Sequence, residues 1–143
     1  MTRGHEGHGQ LELMTRRQLL VYSYISCAAL AVGSLGPWAY GPLGYSGASG
    51  DGLLVLSAAG LVALVIWRWT VSRRRPMLIV AQIIAGFCTA IAIYDIYDVY
   101  NFYAEVDEFG PGQVGWGLIL TLIAAAALTA LCFFQYRRSG SQV

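Results

Sequence analysis

Four long apolar runs, each able to cross a bilayer, dominate this chain and decide most of what it can become. Leu19 to Trp38 holds no charge, and about 20 residues at about 1.5 Å per residue span a hydrocarbon core roughly 30 Å thick. Leu53 to Val71, Met77 to Tyr100 and Val114 to Phe134 are runs of the same kind. Over the 143 residues, 57% are hydrophobic and only 12% charged. A soluble domain would carry about 25% charged residues, so a water-soluble globule is excluded on composition. Nine basic and eight acidic side chains nearly cancel, which argues against nucleic acid as a partner and against disorder.

The charges set the orientation. Arg16, Arg17, Arg68, Arg73, Arg74, Arg75, Arg137 and Arg138 flank one set of helix ends, while Asp51, Asp95, Asp98, Glu105, Asp107 and Glu108 fall at the other. The positive-inside rule makes the arginine side cytoplasmic and places both termini there. Three or five helices would put an arginine cluster on the wrong face. The expectation is an all-α membrane protein: a four-helix up-down bundle with helices at about 18–38, 52–71, 76–103 and 113–135, in one domain over 16–138. Residues 1–15 and 139–143 read as cytoplasmic tails, and the membrane is expected to be the plasma membrane. Arg16-Arg17 before an apolar run resembles a twin-arginine leader, but no small-x-small cleavage site follows it cleanly.

Gly50-Asp51-Gly52-Leu53-Leu54 and Gly115-Trp116-Gly117-Leu118-Ile119 open the second and fourth helices 65 positions apart. A tandem repeat of a two-helix hairpin is one explanation, and chance in a Gly- and Leu-rich chain is the other.

The densest polar segment closes the third helix. Tyr94, Tyr97 and Tyr100 recur every third residue, and Asp95, Asp98, Asn101 and Glu105 lie along one broad helical face. Such oxygens are ligands for a hard cation, and with Asp51 they form a candidate acidic cluster on one side of the membrane. Asp95 stands 18 residues beyond Met77, about 27 Å along the helix and near the headgroups. The plainest expectation there is an aromatic belt with solvated acids beyond it; a cation site or a partner-docking surface are the alternatives. Asp51, between two glycines, is expected to cap the second helix.

At the basic side, Trp67-Arg68-Trp69 reads as two interfacial indoles around a snorkelling arginine. Arg68 with Arg73-Arg74-Arg75 is a candidate site for anionic lipid headgroups. His5 and His8 in the tail make at most a weak metal pair, and no metal site is expected. Cys27, Cys88 and Cys132 each lie in an apolar stretch and read as small core residues. Ala29-x-x-x-Gly33, Ala81-x-x-x-Ala85, Gly86-x-x-x-Ala90 and the run Ala124 to Ala127 offer surfaces for close helix packing. No intramembrane His, CxxC, Ser-His-Asp set, HExxH or phosphate loop is present, so neither an enzyme nor a cofactor is expected.

Gly36-Pro37-Trp38-Ala39, then Gly47-Ala48-Ser49-Gly50-Asp51-Gly52, then Val114-Gly115-Trp116-Gly117-Leu118, resemble a largely uncharacterised group of small actinobacterial four-helix membrane proteins. The likeness spans Leu19 to Phe134 by layout and about fifteen residues by motif; it implies a four-helix plasma-membrane protein with no assigned activity. Tyr94 to Glu108 has no counterpart in that pattern. The out-and-back layout is similar in outline to claudin-like proteins, whose Trp and paired-Cys signature the short first loop lacks. The functional expectation is a non-enzymatic accessory or scaffold subunit, with lipids and other membrane subunits or a second copy as partners. A small ion or solute transporter with an acidic outer mouth, and an extracytoplasmic cation or envelope sensor, are the alternatives.

Overall fold

A computed structural model describes residues 16–40, 46–72, 74, 76–105 and 113–140; the first tail with His5 and His8, and 141–143, lie outside the described residues. Four helices carry the chain: α1 (Arg16–Leu35), α2 (Gly52–Ser72), α3 (Pro76–Glu105) and α4 (Trp116–Gly140). Two short strands, β1 (Ala39–Tyr40) before α2 and β2 (Gln113–Val114) before α4, pair antiparallel. All four helices are long and apolar enough to cross a membrane, the architecture of a multi-pass membrane protein.

Each helix packs against two others, closing a ring α1, α2, α3, α4 and back to α1. The buried positions recur at alternating spacings of three and four. On α2 they are Gly52, Val55, Ala59, Val62, Ile66 and Trp69; on α3, Leu78, Ala81, Ala85, Cys88, Ala92, Asp95 and Val99. That spacing is the mark of helices packed at a shallow crossing angle, and small residues on α3 let the backbones approach. Cys27, Cys88 and Cys132 are buried free thiols in this core.

One end, here the ribbon end, is built from backbone. α1 stops at Leu35 rather than near residue 38, because Gly36-Pro37 breaks it and Pro37 cannot donate to the helix. The chain then folds Trp38 back into the bundle, where it is 1% exposed and its Nε1 donates to the Gly33 carbonyl at 3.1 Å. The carbonyls of Trp38 and Pro37 accept from Gly115 N–H at 2.7 Å and Gly117 N–H at 3.0 Å, and Gly36 O accepts from Gly47 N–H at 3.0 Å. α4 consequently starts at Trp116, not 113, and Gln113-Val114 pair with Tyr40 and Ala39 instead. The described chain is thus helical with a two-stranded ribbon added, which local hydropathy did not reveal.

At the opposite, arginine end, Gln135 Nε2 of α4 donates to Leu19 O at 3.2 Å and to Ser23 Oγ at 2.9 Å on α1, and Ser23 Oγ donates to Leu19 O at 2.9 Å. α1 and α4 therefore run antiparallel, since Gly33 and Gly36 meet Gly117 at the ribbon end. The glycines matched at 65 positions do not occupy equivalent places. Gly52 lies against Ser34 of α1 and Gly117 against Gly33 and Gly36 of the same segment, whereas a repeated hairpin would set Gly117 against α3.

Candidate functional site

The polar segment of α3 is split by its helix. Asp95 continues the inward row and is 8% exposed, while Tyr94, Tyr97 and Tyr100 are 64%, 64% and 73% exposed on the outside. Asp98 is exposed and Asn101 half-buried; α3 runs on to Glu105, whose side chain lies outside the described residues. The face that carries Asp95, Asp98 and Asn101 straddles the edge of the bundle: a step of three residues from Asp95 to Asp98 carries the carboxylate out of the buried seam. Asp95 is also not a solvated acid beyond an aromatic belt. Its Oδ2 is buried and has no hydrogen-bond partner among the described residues, a costly state for a carboxylate.

Asp51 stands at the start of α2, exposed, and its charge together with that of Asp98 acts on Asp95. Its backbone carbonyl accepts from Val55 N–H at 3.0 Å, but its carboxylate makes no hydrogen bond among the described residues, so the expected side-chain cap is not formed. Asp51, Asp95 and Asp98 are therefore neighbours electrostatically. Among the described residues, however, no group of three His, Cys, Asp or Glu side chains could hold a metal ion.

The hydroxyls within the bundle add no polar path to this acid. Ser23, Ser57, Thr89, Thr121 and Thr129 each donate to a carbonyl four residues back in their own helix, at 2.8 to 3.0 Å.

Sequence reasoning missed the inward turn of Asp95, although a signal was present. Ala81, Ala85, Cys88 and Ala92 mark a row of small residues at spacings of three and four, and Asp95 is its next member. Small residues mark the protein-facing side of a membrane helix better than hydrophobicity does, because lipid and core are equally apolar.

Much of the small-residue surface proves internal: Gly33, Ala81, Ala85, Ala124 and Ala125 are buried within the bundle. Ala126 and Ala127 on α4 and Gly86 and Ala90 on α3 are not in that core. Gly86 and Ala90 differ from the α4 pair in their setting. They lie with Ile83, Ile93, Tyr97 and Tyr100 on a second three-four row along the outside of α3, and open space surrounds Gly86.

At the arginine end, Trp67 is 57% exposed but Trp69 is 5% exposed and joins the core, so only one of the two expected interfacial indoles faces out. Arg68 of α2 and Arg74 of the turn before α3 are exposed and line one groove; the side chains of Arg73 and Arg75 lie outside the described residues. No protein-family model, curated protein or solved structure matches this chain.

Proposed function

We propose that this chain is a non-enzymatic plasma-membrane protein that works as an accessory or scaffold subunit of a larger membrane assembly, docking through the outward row of α3. The observation that carries the reading is that row itself: Ile83, Gly86, Ala90, Ile93, Tyr97 and Tyr100 repeat at spacings of three and four on the face opposite the buried seam. α3 thus carries packing registers on two sides. Gly86 is surrounded by open space, and a helical glycine costs about 0.5–1 kcal/mol relative to alanine, a cost that close approach of another helix offsets. α2 and α3 bury only 28% of their spans inside the chain against 39% for α1 and α4, so this side has the most surface left for a partner. Arginine placement sets the arginine end in the cytoplasm with both termini, and the ribbon end with its tyrosines outside. The resemblance to small actinobacterial four-helix proteins belongs to the same reading.

Native purification followed by mass spectrometry tests it. A membrane protein should co-purify at stoichiometric ratio and be lost from Gly86→Leu with Tyr97→Ala; a chain recovered alone and pure would end the subunit reading.

A second reading, a small ion or solute transporter with an acidic outer mouth, is favoured by one observation. Asp95 is a buried carboxylate in a membrane helix, with an oxygen that has no partner among the described residues, and such groups are functional by default. Flux into liposomes should then fall with Asp95→Asn; absent or unchanged flux would remove this reading.

A further inference from the structure

The last turns of α2 and the first turn of α3 leave a groove of about 490 Å³ between them, lined by Leu64, Val65, Trp67 and Arg68 on one side and Arg74, Pro76, Met77 and Val80 on the other. The volume lies within the roughly 300–1,000 Å³ of small-molecule sites. Its walls are almost wholly apolar, and among the described residues the charged groups that line it are the two guanidiniums.

The shape is held from within. Ser72 Oγ lies 2.9 Å from the Arg68 carbonyl, to which it donates, and 3.4 Å from Met77 Sδ; Met77 N–H donates to the Arg74 carbonyl at 3.2 Å. These contacts tie both walls to the short turn. Pro76, with no N–H to satisfy, opens α3, and the first turn of that helix carries no acid of its own to pair with the two arginines. Neither Arg68 nor Arg74 makes an ion pair among the described residues.

We propose that this groove binds one anionic phospholipid, an acyl chain lying along Leu64, Met77 and Val80 and the phosphate held by Arg68 and Arg74. Charge complementarity selects that occupant. A zwitterionic lipid presents the same phosphate but brings an ammonium group to a site that already holds two guanidiniums, whereas an anionic headgroup leaves no cation to repel. The apolar walls select a long chain over a soluble phosphate. The inference rests on the membrane placement of the helices and not on the docking row, which lies toward the other end of α3.

The full chain, reconstituted in nanodiscs with equal parts of a long-chain anionic and a long-chain zwitterionic phospholipid and then extracted, would be examined by native mass spectrometry for retained lipid. One anionic lipid per chain is expected. Arg68→Gln with Arg74→Gln should weaken retention about 30-fold, at about 1 kcal/mol per arginine, with Arg73 and Arg75 left to preserve insertion. Val80→Trp, which fills the groove and keeps both charges, should also abolish retention, and it carries the test if the arginine variant fails to fold. A short-chain anionic lipid should be retained poorly. Equal retention of the two long-chain lipids by the native chain, or undiminished anionic retention in Val80→Trp, would overturn the proposal.

Discussion

At the ribbon end the helices meet through backbone, with the Trp38 carbonyl bonded to Gly115 N–H, the Pro37 carbonyl to Gly117 N–H and the Trp38 indole to the Gly33 carbonyl. At the arginine end they meet through side chains: the Gln135 amide reaches across to Leu19 and Ser23, and beside it a groove stays open between α2 and α3. Backbone contact requires glycine and leaves no room; side-chain contact tolerates substitution and leaves space for another molecule. The two ends therefore divide the work of holding the fold and of presenting sites.

The sharpest way to break that contrast is at a ribbon-end glycine. A Cβ at Gly115 would run into the Pro37 carbonyl, which is backbone already committed to Gly117, so Gly115→Ala should destabilise by more than about 4 kcal/mol and abolish monodisperse recovery in detergent. Recovery equal to the native chain would show that the ribbon end yields. Trp38→Ala comes next. It removes the largest fully buried side chain and should cost about 3–5 kcal/mol in detergent unfolding, while Trp38→Phe should keep most of that and lose about 1 kcal/mol for the indole bond.

The arginine end should respond less. Gln135→Ala deletes a donor to Leu19 and Ser23, but Ser23 still satisfies Leu19, so a loss of about 1–2 kcal/mol is expected; a loss as large as that of Trp38→Ala would erase the distinction. The smallest effect belongs to the two helix glycines with open space beside them. Gly60 and Gly86 both have nothing within 4 Å of a built Cβ, and alanine at either should stabilise the isolated chain by about 0.5–1 kcal/mol. Loss of a co-purified partner from Gly86→Ala but not from Gly60→Ala would sharpen the assignment of the docking face to α3.

Asp95 shows how far local reasoning reaches. Its place on the helix and its height near the membrane surface follow from counting residues, yet its direction does not, because both sides of α3 are apolar and hydropathy is blind to which one faces protein. The same blindness treated Trp69 as interfacial. The alternating spacing of Ala81, Ala85, Cys88, Ala92 and Asp95 held the missing information, since packing density between helices is encoded in side-chain size. Trp38 differs: no local pattern announces that a tryptophan after Gly36-Pro37 will return into the bundle, because its partners Gly33, Gly47 and Gly115 come together only when three segments of chain meet.

The number of membrane-crossing helices, their limits to within a few residues, and the segregation of arginine from carboxylate were determined by the sequence alone, because transfer into lipid and electrostatic asymmetry act on each segment separately. The pairing of Ala39-Tyr40 with Gln113-Val114, the burial of Asp95 and the groove beneath Arg68 and Arg74 were decided only by tertiary structure. Each of these depends on the shape and backbone of a neighbouring element, and nothing within a single segment specifies its neighbour.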